Sequence, residues 1–182
     1  IARNASGASS LRGLFRHQAG SNTPIAYGNE TGALGPQIPN FVFGTFDASS
    51  GNKQTLSSRG DWLAFYAQVD GPSGSSYALF RYHPSLGIQP LGFVNATGAL
   101  GLPNNRVWKT FNALFINALG HVIVHGAVGV ADSSSTRGEM WLLRGPGVTP
   151  QPILLPGDSV RYYGANDLTL RSATVTTVNA PL

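Results

Sequence analysis

The segment Asn29-Glu-Thr-Gly-Ala-Leu-Gly35 returns as Asn95-Ala-Thr-Gly-Ala-Leu-Gly101, with six of seven residues identical at a spacing of 66. An internal repeat constrains a fold more than any local pattern, because each copy must form the same small unit and neighbouring units must share a core. Three further landmarks keep the register. Leu14-Phe15-Arg16 matches Leu79-Phe80-Arg81, Pro24-Ile25 matches Pro90-Leu91, and Thr45-Phe46 matches Thr110-Phe111, all spaced by 65 or 66 residues. A third copy is fainter. Trp141-Leu142-Leu143-Arg144 takes the first landmark's place, Pro152-Ile153-Leu154-Leu155 the second's, and Pro156-Gly157-Asp158 that of the Thr-Gly-Ala-Leu-Gly turn. The 182 residues read as a single all-β repeat domain with copies over about 10–75, 76–137 and 138–182.

Each copy is expected to hold about four antiparallel strands. The first falls at 11–16, 77–82 or 139–144, and the second at 24–27, 89–94 or 152–155. A short third falls at 41–46, 107–111 or 167–170, and the fourth at 61–69, 121–128 or 172–178. The fourth carries the strongest strand signal, since Trp62-Leu-Ala-Phe-Tyr66 and Val122-Ile-Val-His-Gly-Ala-Val128 are apolar and rich in β-branched and aromatic residues. Gly60 and Gly120 precede these runs as turn residues, and Tyr162-Tyr163 reads as part of a loop. No stretch of ten residues holds a helical period, so little helix is expected.

Composition agrees with many short strands and tight turns. The chain has 23 Gly and 12 Pro, yet 42% of its residues are hydrophobic, so a core can form. Charged residues are only 11%, and the net charge is +4. Ten of the twelve basic residues are Arg, scattered from Arg3 to Arg171 rather than gathered into a stripe. That scatter reads as soluble surface and argues against a nucleic-acid partner. With no Cys there is neither a disulfide nor a thiolate. No run of about 18 apolar residues is present to span a membrane as a helix. Scarce Lys and abundant Ser, Thr, Asn and Gly lean towards an extracellular or cell-surface protein, and a first residue of Ile1 rather than Met reads as a removed leader or a missing start.

Several short elements resemble tandem repeats of large secreted bacterial surface proteins. These are Leu154-Leu-Pro-Gly-Asp158, Thr110-Phe111, Asn117-Ala-Leu-Gly120 with residues 121–127, and Ser58-Arg-Gly60 with residues 61–67. The resemblance implies units like β-propeller blades. Closed propellers hold about four to eight blades, so three copies leave a fragment or completion by other copies. A β-trefoil closes with three units, and a β-sandwich with Greek-key links is the other alternative.

Candidate chemistry is thin. The eight carboxylates form no cluster, and Asp61, Asp70, Asp132 and Asp158 sit where turns explain them. His121 and His125 would face one side of a strand, about 13 Å apart and too far to share a metal ion. No nucleophile elbow, phosphate loop or dinucleotide fingerprint is present. Catalytic residues, metals and cofactors are therefore not expected. Asn4, Asn29 and Asn95 each open a glycosylation sequon, the last two at equivalent repeat positions. Trp62 and Trp141 are expected in the core. The last stretch is apolar and β-prone, and Leu168, Leu170, Val175 and Val178 make it a candidate subunit-pairing strand. The expected function is a non-enzymatic extracellular structural protein that self-assembles into a filament or surface layer, with copies of itself as partners. The alternative is a glycan- or protein-binding β-repeat module.

Overall fold

The computed structural model describes residues 13–44, 54–56, 61–163 and 170–176. Among them are thirteen β-strands in four open antiparallel sheets, and no α-helix. A first hairpin joins β1 (Gly13–Gln18) and β2 (Ser21–Tyr27). Sheet I follows, from β3 (Val42–Phe43), β4 (Gln54–Leu56), β5 (Leu63–Gly71), β6 (Gly74–His83) and β7 (Gly87–Phe93). Sheet II holds β8 (Arg106–Ile116), β9 (Val122–Val130), β10 (Thr136–Leu143) and β11 (Gln151–Leu154). A last hairpin joins β12 (Ser159–Tyr163) and β13 (Leu170–Thr174).

Both sheets are meanders, except that in sheet I β3 and β4 both pair with β5 and not with each other. β3 pairs with the end of β5 and β4 with its start, so the two pieces together line β5 as the single strand β8 lines β9. The sheets thus share a plan of four strand positions. The third and fourth positions carry a mark that recurs in the first hairpin. The pairing register slips between Leu14 and Phe15, between Leu79 and Phe80, and between Met140 and Trp141. Phe15, Phe80 and Trp141 then face Pro24, Pro90 and Pro152. Proline cannot donate to a ladder and is tolerated at an edge strand or a bulge, and here it has both. The residue skipped by each slip is Ile25, Leu91 or Ile153. By this mark β1 and β2 occupy the third and fourth positions of a sheet, as β6–β7 and β10–β11 do.

The turn leaving the fourth strand is also the same in two places. Asn29 and Asn95 adopt left-handed backbone at φ 62° and 60°, which Asn tolerates better than most residues. Their N–H groups donate to Phe43 O at 2.8 Å and Trp108 O at 2.9 Å.

Packing follows strand alternation. Leu63, Phe65, Ala67 and Val69 point from β5 towards the first hairpin, where Ile25, Ala26, Phe43, Phe80 and Ile88 complete a core. Ala64 and Leu79 point the other way and join Leu91, Trp108, Leu114, Val124 and Trp141 in a second core between sheets I and II. Sheet I is therefore buried on both faces.

Three expectations change. β8 runs to Ile116 rather than ending at 111, because bulges at Lys109 and Asn112 let one strand follow β9 throughout. Tyr162 and Tyr163 belong to β12, paired with Arg171 and Leu170, so they are not loop residues. Of the strands expected at 167–170 and 172–178, Leu170 and residues 172–174 lie in the one strand β13, while residues 167–169 and 177–178 lie outside the described residues.

Gly120 joins the two sheets at one point. Its φ is 75°, and a Cβ there would stand 2.5 Å from the Trp62 ring. Gly147 has a similar φ of 72° with nothing within 4 Å. Gly147→Ala should cost only the backbone penalty of about 1–2 kcal/mol. Gly120→Ala should add about 1–3 kcal/mol of overpacking to that. Urea midpoints of the two variants measure the difference, and equal midpoints would contradict the packing seen at Trp62.

Candidate functional site

The polar groups of the core are the first place to look for chemistry. Arg81 is on β6, only 8% exposed. Its Nη1 donates to Gly120 O at 2.7 Å and Arg144 O at 2.8 Å, and its Nε donates to Gln89 Oε1 at 2.7 Å. The guanidinium lies 4.6 Å from the centre of the Trp62 ring. A buried cation is tolerated when its donors are used and an aromatic face balances its charge. Burial nevertheless holds the Arg81 guanidinium below its ordinary value. Arg16, at the same strand position in the first hairpin, pairs with Asp61 at the turn before β5. Each of these arginines reaches from a third strand to the turn that opens the next sheet's second strand.

Glu139 on β10 is wholly buried. Arg106 from the start of β8 forms an ion pair with its Oε1, and Trp141 Nε1 donates to Oε2 at 2.9 Å. Arg106 also sits 5.6 Å from the centre of the Trp141 ring. Burial first, and the Arg137 charge second, hold the Arg106 guanidinium below its ordinary value. Arg106 pairs with one oxygen of the buried carboxylate and Trp141 donates to the other, so Glu139 ties the start of β8 to β10.

These two clusters correct the reading of scattered arginines as surface. Arg81 is buried, and Arg106 is spent on a buried partner. One signal was available in the sequence: arginine closes the Leu-Phe-Arg landmark in both copies. Nothing in the sequence linked Arg106 to Glu139. Trp141 is in the core as expected, while Trp62 is half-buried beneath Arg81.

The remaining titratable groups are dispersed. His125 is buried on β9, and His121 precedes that strand. His17 Nδ1 lies 2.8 Å from Asn22 Oδ1, and His83 Nδ1 lies 2.8 Å from Ser85 Oγ. Among the described residues no three His, Cys, Asp or Glu lie together. Asp158 accepts from Leu155 N at 2.7 Å, and Asp70 accepts from Gln68 Nε2 at 3.0 Å, both within turns or strand ends.

Two hollows remain. A cavity of 530 Å³ lies between the turn after β7 and the loop after β10, lined by Leu102, Pro103, Asn105, Val148 and Pro150 among others. A groove of 280 Å³ is lined by Tyr66, Tyr77 and Phe111, with Lys109 and Asn112 supplying polar groups. Asn29 and Asn95, with Thr31 and Thr97 of their sequons, are exposed. Asn4 lies outside the described residues.

The surfaces offered for association are more extensive. On the far side of sheet II, Phe115, Ile123 and Leu142 form one cross-strand row. Phe115 is 43% exposed, and Ile123 and Leu142 are half-buried. Ile153, at the bulge position where Ile25 and Leu91 are 3% and 5% exposed, is itself 43% exposed. In the candidate pairing strand, Leu170 opens β13, and Val175 is half-buried and exchanges backbone bonds with Gly157 and Asp158 at 2.8 Å. Leu168 and Val178 lie outside the described residues.

Arg106→Met should cost about 2–4 kcal/mol, because Glu139 would keep a buried charge without its cation and Arg106 is itself a quarter exposed. Adding Glu139→Gln should return most of that loss. Denaturant titrations of the single and double variants test this. A single variant as stable as the parent would show that the pair holds nothing together.

Comparisons with protein-family models, with curated proteins and with solved structures gave no match, so function is read from the geometry alone.

Proposed function

We propose that the chain is a non-enzymatic, extracellular structural protein whose blade-like units assemble with further copies into a filament or surface layer. The observation that carries this reading is the unequal covering of two similar sheets. Sheet I has both apolar faces buried by neighbours along the chain. Sheet II has the same strand plan, but the row Phe115–Ile123–Leu142 and the bulge residue Ile153 keep apolar area open to solvent. Contiguous exposed apolar area on a sheet face marks an interaction surface. Stacked sheets need a cap or a neighbour at each end of the array. Among the described residues, buried Arg81 donates to Gln89 and to the carbonyls of Gly120 and Arg144, and buried Glu139 pairs with Arg106 and accepts from Trp141, which supports a role without catalysis.

A second reading rests on the groove of Tyr66, Tyr77 and Phe111 with Lys109 and Asn112 beside it. Aromatic faces with flanking donors are what a sugar ring stacks on. This favours glycan binding as the alternative, and loss of binding on a glycan array with Tyr77→Ala is its test.

The assembly reading predicts that the purified chain scatters light as a multimer of its 19.1 kDa mass. Phe115→Lys places a charge on the open face and should shift the population towards monomer, with its urea midpoint little changed because Phe115 is already partly exposed. A parent protein that stays monomeric at all concentrations would overturn the reading.

A further inference from the structure

β8 carries two bulges in close succession, and the extra residue at each is polar. Its pairing with β9 slips between Trp108 and Thr110 and again between Phe111 and Ala113, which leaves Lys109 and Asn112 opposite no residue of their own. In a regular strand these two side chains would leave on opposite faces. The bulges bring both to one groove of 280 Å³, which they line with Tyr66 of β5, Tyr77 of β6 and Phe111 of β8. Re-aiming a side chain beside a binding site is a recurrent use of a bulge.

The two bulge residues share one character, which is that they donate. The Lys109 stem passes beside Gly129, where a Cβ would stand 3.3 Å from Lys109 Cε, and its Nζ donates to Ala131 O at 3.3 Å. An ammonium has three donors, so this bond leaves capacity for a ligand. Ala127 N donates to Thr110 Oγ1 at 3.4 Å, and that hydroxyl donates to Asn112 Oδ1 at 3.0 Å. With its oxygen engaged, the Asn112 amide has its N–H donors to offer. No carboxylate lines the groove. Beside these donors Tyr77 is 38% exposed, and the Tyr66 ring lies 6.4 Å from that of Tyr77 and 6.1 Å from that of Phe111. From this arrangement we infer that the groove binds an acidic sugar unit, its ring against Tyr77 and its carboxylate or sulfate held by Lys109 and Asn112. The inference rests on the glycan reading of the groove and adds the charge of the ligand. Ionised acceptors draw the strongest bonds from such donors, and an aromatic face takes the apolar side of a sugar. A single cation is no track for a phosphate backbone, which favours a sugar over a nucleic acid. The larger cavity beside Leu102 and Val148 presents neither an aromatic ring nor a charge.

The test is an array that sets carboxylated and sulfated glycans beside their neutral parents, with a labelled thymidine oligonucleotide offered alongside. The expected result is retention of acidic members over their neutral parents, weakened by added salt. Lys109→Met removes the cation, and Asn112→Asp replaces the donors by a like charge at nearly the same size. Each should weaken acidic binding about tenfold or more. Lys109→Arg keeps the charge and should retain binding, and Thr149→Ala at the larger cavity should leave it unchanged. Urea midpoints report whether each variant is folded. Retention of carboxylated members alone, or of sulfated members alone, supports the inference and tells which anion the site takes. Neutral parents held as tightly as acidic members, with both lost in Tyr77→Ala, would overturn the acidic assignment and leave glycan binding in the groove standing. Acidic binding that neither Lys109→Met nor Asn112→Asp moves would overturn it as well. Preference for the oligonucleotide over every glycan would overturn it in favour of a nucleic acid. No retention of any glycan would remove this inference and the glycan reading together.

Discussion

A β-sheet whose strands are apolar on both faces is not stable in water by itself, and sheet I is such a sheet. β5 sends Phe65 one way and Ala64 the other, and β6 sends Phe80 one way and Leu79 the other. An antiparallel sheet in a two-layer protein normally keeps one face polar. Losing that polar face commits the chain to at least three layers. The first hairpin and sheet II meet this demand, and the order of layers follows the order of the chain. Each of the first two fourth strands turns at Asn29 or Asn95 and reaches the next first strand through a connecting segment, from Tyr27 to Val42 and from Phe93 to Arg106.

That stacking explains why ionic groups are buried in a chain so poor in charge. Arg81 and Arg106 both lie at the seam between sheets I and II or at its rim. A hydrocarbon seam alone fixes spacing but not register, since apolar faces slide with little penalty. Directional bonds from Arg81 on sheet I to the carbonyls of Gly120 and Arg144 have only one alignment of the two sheets that satisfies them, whereas the Arg106–Glu139 ion pair lies within sheet II and ties β8 to β10. Such buried ionic groups contribute little net stability over apolar replacements. The effect of Arg81 at this seam is to make a shifted stack costly, because a displaced sheet would leave its buried guanidinium without the carbonyls it donates to.

The sequence made much of this visible, for reasons that can be stated residue by residue. Apolar alternation placed β5, β6, β9 and β10 within a few residues, since a buried strand declares itself by composition. The repeated Thr-Gly-Ala-Leu-Gly turn was legible because its geometry admits few residues: a Cβ on Gly35 or Gly101 would stand 2.4 Å from a carbonyl oxygen. Long-range pairs were not legible. Arg106 and Glu139 are far apart in sequence, and Arg81 looks like any surface arginine until the sheet behind it is in place. The first strand was the weakest reading. In sheet I it is broken into β3 and β4, and in sheet II bulges at Lys109 and Asn112 disturb its alternation.

The boundary at which a repeat is drawn decides what counts as a unit. Similarity at 65 or 66 residues has no phase of its own, so the copies can be begun at any strand. Begun at the Leu-Phe-Arg landmark, the chain looks like two full units and a short one. Begun at the first strand of each sheet, the same chain is two full sheets flanked by two hairpins. Only the second phase matches the ladders, which run within β3–β7 and within β8–β11, while single bridges, Gly28 to Phe43 and Val94 to Trp108, step from one sheet to the next. Read in that phase, the shortness of the third copy stops being an anomaly. Its described strands, β12 and β13, form a hairpin of their own, and Ile153 at the preceding bulge is 43% exposed.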